Sequence, residues 1–155
     1  MKKILLLFVP IVSTLTSCHF ENPVYTEVQS IDKELSGIWE HDEGSMIIIP
    51  IDHARYVIQS PREQKASLYY LGSIVGENLI QLKVLATSDE VPGKIERAYT
   101  VAYYALAGDK LTYRVIEQNK IKAPKTPKNI RRQIESSGQD LFREETLTFR
   151  RKKKQ

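Results

Sequence analysis

Five residues have the types and the nearness in sequence of a metal-ligand set: His41, Asp42, Glu43, Asp52 and His53. Imidazole nitrogens and carboxylate oxygens are common metal donors. The spacing works against them. Residues 44–50 separate the two groups and form a predicted strand. At about 3.3 Å per residue, its end turns lie roughly 20 Å apart. The histidines then sit at opposite ends, and all five read as polar turn residues. No metal site is expected, and nothing in the chain calls for a cofactor.

Nucleophilic catalysis has no better footing. The chain contains no Gly-x-Ser-x-Gly elbow, no His-Glu-x-x-His and no P-loop. Carboxylate pairs such as Asp89-Glu90 and Glu144-Glu145 are adjacent in sequence. Adjacent side chains on a strand point to opposite faces, so they make no acid–base dyad. A non-enzymatic protein is expected.

Tyrosine is the group the chain has in quantity. Tyr56, Tyr69, Tyr70, Tyr99, Tyr103, Tyr104 and Tyr113 all fall on predicted strands. Tyr99 and Tyr103 share a face with Val101 and Ala105. Small residues between large rings leave room for a pocket with hydroxyl handles. Tyr56, Tyr99, Tyr103 and Tyr113 are its candidate lining. The simpler reading also stands: tyrosine favours strands, and a small barrel needs large rings to fill it.

Charge is unevenly placed. Residues 19–109 carry 7 Lys/Arg against 14 Asp/Glu, whereas residues 110–155 carry 14 against 5. The basic end points toward acidic partners: lipid headgroups, envelope phosphates or an acidic protein face. Lys125, Lys128, Arg131 and Arg132, with Lys152, Lys153 and Lys154, make one anionic-partner patch if the helix they flank packs beside the last strand. A solvated basic face with no partner is the alternative.

The elements that must position these groups are strands. Alternation and turn residues predict strands at 37–41, 44–50, 54–60, 66–75, 78–86, 96–107, 110–118 and 145–151. Ile80, Leu82 and Val84 share one face; Leu147 and Phe149 alternate with Thr146, Thr148 and Arg150. Met46 to Ile49 is apolar on both faces. Residues 31–35 predict one helical turn capped by Ser30. Asn129 to Ser136 predicts a short helix, with Ile130 and Ile134 on one side, ended by Ser137-Gly138. Short turns imply an antiparallel meander, and eight strands suffice to close a small barrel. The expected fold class is therefore all-β, with one short helix before the last strand.

The N-terminus is of another kind. Lys2 and Lys3 precede an apolar run, Ile4 to Val12, broken only by Pro10, and then the small polar stretch Ser13 to Ser17. That is the order of a secretory signal. The run is shorter than the about 20 residues a membrane-spanning helix needs. It closes on Leu15-Thr16-Ser17-Cys18, which resembles the lipobox of bacterial lipoprotein precursors. The resemblance implies that residues 1–17 are a cleaved signal peptide and that Cys18 is acylated, so that it carries palmitate or similar chains. Two or more chains anchor stably, at about 0.8 kcal/mol per buried methylene. His19, where the family's inner-membrane proteins carry Asp, implies the outer membrane, periplasmic face, of a cell envelope. The sole cysteine leaves no intramolecular disulfide for an oxidising compartment. That compartment disfavours nucleic acid as a partner. Residues 18–30 are expected to be the lipidated cysteine and a tether, and residues 31–155 a single β domain with a basic tail.

Gly37-Ile38-Trp39 opens the first predicted strand. With the meander, the late helix and the final strand, it is similar to the lipocalin-like barrels. There the tryptophan closes the barrel floor, often beneath an arginine from a late strand. The resemblance implies structural roles for Gly37, Trp39 and Arg150 or Arg151. It also implies binding of a lipid or small apolar ligand. A protein-interaction module, as an envelope assembly factor or an inhibitor of an envelope-directed enzyme, is the alternative.

Overall fold

Apolar alternation along the chain resolves into eight antiparallel strands. They are β1 (Gly37–His41), β2 (Gly44–Pro50), β3 (Arg55–Pro61), β4 (Ser67–Gly76), β5 (Leu79–Thr87), β6 (Tyr99–Ala107), β7 (Lys110–Val115) and β8 (Leu147–Arg151). The structure is a computed structural model and describes residues 20–42, 44–61, 67–87 and 99–153. Cys18 and the segment before it, Glu43, the Asp89-Glu90 pair and Lys154 lie outside the described residues.

Each strand pairs with the next, and β8 returns to β1 through Trp39↔Arg151 and Glu40↔Arg150. The sheet is thus a closed barrel with no free edge. Two-residue turns join β4 to β5 and β6 to β7. Asn78 (φ 58°) and Gly108 (φ 61°) supply the positive φ that such turns demand. β7 is shorter than the predicted 110–118. Ile116 leaves the strand, donates its N–H to Val101 O (3.0 Å) and bridges Phe142 outside the barrel.

The inner face is aliphatic and aromatic: Trp39, Met46, Ile48, Tyr56, Ile58, Ile74, Ile80, Leu82, Ala102, Tyr104, Leu111 and Phe149 form one buried cluster. Gly72 sits among them, close against two isoleucine side chains. A Cβ there would lie 2.8 Å from Ile58 Cδ1 and 3.1 Å from Ile80 Cδ1.

A second core lies outside the wall. α1 (Pro127–Ser137) starts where Thr126 Oγ1 accepts from the Asn129 N–H (3.3 Å), with Pro127 at its first position. It ends at Gly138, whose φ is 56°. Ile130 and Ile134 face inward as their spacing requires. They join Phe20, Val24, Tyr25, Val101, Ile116 and Phe142. From Phe20 on, the stretch read as a tether is laid along the barrel. Phe20 and Tyr99 exchange two backbone hydrogen bonds. Gln81 donates Nε2–H to Tyr25 O (3.0 Å) and accepts from Tyr25 N–H at Oε1 (2.9 Å). The Gln29 N–H reaches Ile74 O (2.7 Å). The following 3₁₀ turn, Lys33–Leu35, is capped by Asp32 and not by Ser30: Asp32 Oδ1 accepts from the Glu34 N–H (2.9 Å).

Candidate ligand-binding end of the barrel

The two ends of the barrel are built differently. At the end where β1 begins, Gly37 adopts φ 138°, a region that favours glycine. It brings the chain from the 3₁₀ turn into the strand. Trp39 follows, fully buried, its Nε1–H donating to Leu35 O (2.9 Å). The Arg151 guanidinium lies 4.3 Å from the Trp39 ring centroid, donating Nη1–H to Ser36 O (2.9 Å) and Nη2–H to Glu34 O. Tyr56 OH donates to Asp32 O (2.7 Å). This end is a plug held by a cation over a ring and by hydrogen bonds to backbone carbonyls. Of the two arginines named from the sequence for this role, Arg151 fills it, and Arg150 is exposed on the outer face. The inward parity of Leu147 and Phe149 also puts Arg151, not Arg150, inside.

Burial raises the phenol pKa of both Tyr56 and Tyr104, and the nearby Asp32 charge adds to the effect. Both hydroxyls stay protonated at neutral pH.

The other end is where β1 and β7 finish and β8 starts. Its inner face is apolar but only partly covered. The Phe149 ring stacks on Tyr113 (5.8 Å, 20°), and the His41 ring lies tilted against Phe149 (5.1 Å, 36°). Tyr113 pairs across strands with Tyr104 and Leu147. Tyr70, Tyr113 and Leu147 pack on the inner core yet remain partly exposed. Thr100, on the inner face beside Leu82, buries its Oγ1 with no hydrogen-bond partner. Aromatic and aliphatic groups around a few polar atoms are the composition of a small-molecule site.

The four tyrosines named from the sequence do not converge. Tyr56 lies in the plug and Tyr113 at the partly open end. Tyr99 and Tyr103 point outward. Tyr99 lies under Lys83 (5.9 Å), and Tyr103 packs between Phe142 (6.2 Å) and Arg114 (5.7 Å). The outer core claims that face of β6, which the alternation pattern left undetermined. His41, Phe149 and Leu147 take their places at the apolar end; the even spacing of Leu147 and Phe149 already marked two of them.

The basic residues also divide. Lys125, Lys128 and Arg132 are exposed around α1. Arg131 lies 5.9 Å from the Tyr25 ring, and Arg132 Nη2–H donates to Asn129 Oδ1 (2.6 Å). Lys152 follows β8; its N–H donates to Ile38 O (2.8 Å), and its Nζ pairs with Glu40 (3.1 Å). α1 shares its core with Val101 of β6 and Leu79 of β5, whereas Lys152 adjoins β1, four strands from β5. Lys152 therefore lies on another side of the barrel from α1.

His41 and His53 stand at opposite ends of β2, as the strand length requires. Among the described residues no group of three or more His, Cys, Asp or Glu could hold a metal ion. An open cleft of about 500 Å³ lies outside the barrel, lined by charged groups including Glu117, Lys120, Arg143 and Glu144. Its mixed charge suits no apolar ligand. No family model matches the chain, and no curated protein or solved structure matches it.

Proposed function

We propose that this chain is a lipid-anchored protein of a bacterial cell envelope whose barrel takes up one small apolar ligand or lipid through the His41 end. The observation that carries the ligand reading is the asymmetry of the two ends. One end is stoppered by Trp39 and Arg151; the other leaves Tyr70, Tyr113 and Leu147 partly uncovered. Burying an apolar guest against these groups gains about 25 cal/mol per Å². A polar group on that guest would satisfy Thr100 Oγ1, whose isolation otherwise costs stability.

The anchor reading rests on the lipobox-like run ending at Cys18, and the fold adds a supporting consequence. Phe20 is bonded to Tyr99, at the start of β6, on the same end of the barrel as His41. A single residue separates Phe20 from Cys18 in the sequence. That would hold the apolar end close to the bilayer. The exposed cations around α1 would add attraction to anionic headgroups or another acidic envelope component, weakened by salt.

Native mass spectrometry of the protein isolated from envelopes tests the first part: a stoichiometric lipid-sized adduct is expected, and consistently empty protein contradicts it. Metabolic labelling with palmitate tests the second. Label that disappears in Cys18→Ser is expected, and label unchanged by that substitution contradicts the anchor.

A further inference from the structure

Between Glu117 and Glu135 the chain carries six cations and no acid. Lys120 is paired with Glu117 (3.3 Å), and the Arg131 guanidinium lies over the Tyr25 ring (5.9 Å). The other four, Lys122, Lys125, Lys128 and Arg132, are exposed. Among the described residues none of these four forms an ion pair.

Two physical effects oppose this arrangement. Like charges repel one another. Lys125 and Lys128 also flank the first turn of α1, where the helix dipole is positive and no acid offsets it. The fold imposes the arrangement nonetheless. Asn129, buried, donates Nδ2–H to Lys122 O (3.2 Å) and Pro124 O (2.7 Å), and its Oδ1 accepts from Arg132 (2.6 Å). Gln133 Oε1 accepts from the Lys122 N–H (2.8 Å), and its Nε2–H returns to Lys122 O (2.9 Å). The loop that bears Lys122 and Lys125 is thereby stapled to the helix that bears Lys128 and Arg132. A run of lysines that served only solubility would be free to spread its charges apart. Cations held together against their own repulsion suit a partner that presents several anionic oxygens, and ionised oxygens make the stronger hydrogen bonds.

The neighbouring strap indicates where those oxygens come from. α1 packs on Phe20, Val24 and Tyr25, the stretch that follows Cys18 in the chain. The cluster therefore lies beside the segment that leads to the proposed anchor. We infer that Asn129 and Gln133 preorganise Lys122, Lys125, Lys128 and Arg132 into a binding surface for the phosphate headgroups of an anionic lipid bilayer. The inference deepens the proposed anchoring and rests on it for the choice of a bilayer. It does not involve the ligand-binding end of the barrel.

The full chain carrying Cys18→Ser, which has no thiol to acylate, tests it. Co-sedimentation compares phosphatidylcholine vesicles with phosphatidylcholine–phosphatidylglycerol vesicles at low salt. The apolar N-terminal run contributes to both, so the ratio of the two affinities is the reading. The expected result is about tenfold tighter binding to the anionic vesicles. Lys125→Glu with Lys128→Glu should abolish that preference; both changes favour the helix dipole, so the fold is retained. Gln133→Ala, which alters no charge, should reduce the preference about threefold or more, with far-UV circular dichroism confirming that it is folded. Equal binding to both vesicles overturns the inference, as does a preference that survives the double substitution. A folded Gln133→Ala with its preference intact overturns the preorganisation. Binding to soluble polyglutamate without any vesicle preference overturns the choice of lipid and assigns the cluster to an acidic protein. Palmitate labelling of the native chain decides the anchor separately, so the two failures are distinguishable.

Discussion

Arg151 and Trp39 are register partners on β8 and β1, and the guanidinium stands 4.3 Å from the centre of the indole. One contact thereby joins the last strand to the first and seals one end of the barrel. The same guanidinium holds the carbonyls of Ser36 and Glu34, tying the 3₁₀ turn to the closure.

Arg151→Ala should therefore destabilise the fold by about 2 kcal/mol or more, through the lost cation–π contact and two carbonyls left without donors. Arg150→Ala, on the exposed side of the same strand, should stay within about 0.5 kcal/mol. Chemical denaturation of the pair checks both. Arg151→Lys should fall between them, because an ammonium cannot reproduce the planar fork.

Gly72→Val should cost about 1–3 kcal/mol by overpacking. The new side chain meets Ile58 and Ile80 at the barrel's centre. A lowered melting temperature with an unchanged far-UV spectrum is the expected outcome.

Alkaline pH should unfold the protein through its buried phenols. Burial raises the folded-state pKa of Tyr56 and Tyr104 above the unfolded value of about 10. The folded state thus holds those protons more tightly than the unfolded chain. Their contribution is fully present below about pH 10 and is lost as pH rises beyond it. Circular dichroism against pH should show the loss, and Tyr104→Phe should move its midpoint upward.

Thr100→Val should separate stability from binding. Removing the orphaned hydroxyl should leave the empty barrel equally stable, or about 1 kcal/mol more stable. The same change should weaken the uptake of ligands that carry a polar group. Thermal shift and ligand titration on one preparation read the two effects.

How much of this was legible in the sequence varies by element. All eight strands, the short helix and the inward Ile130–Ile134 pair follow from periodicity, because local alternation reports burial directly. The inward turn of Arg151 was legible as well: parity with Leu147 and Phe149 settles it. The face of β6 was not. Tyr99 and Tyr103 alternate with Thr100, Ala102 and Tyr104, and both sets are compatible with burial. Only the long-range docking of residues 20–25 and α1 decides that the first set faces out. The placing of the basic residues was hidden for the same reason: nothing local reveals which strands a helix will cover. The two-sided apolar run Met46 to Ile49 is explained by the alternation itself: Met46 and Ile48 fill the barrel, while Ile47 and Ile49 face out.

On the proposed function, the His41 end of the barrel admits an apolar ligand. Titration with a fluorescent fatty acid tests it most directly, comparing the native chain with Leu147→Arg, which sets a charge at the partly covered apolar lip. Saturable binding by the native chain, weakened about tenfold or more in the variant, is the predicted result. No binding by the native chain, or equal binding by a folded Leu147→Arg, would contradict it.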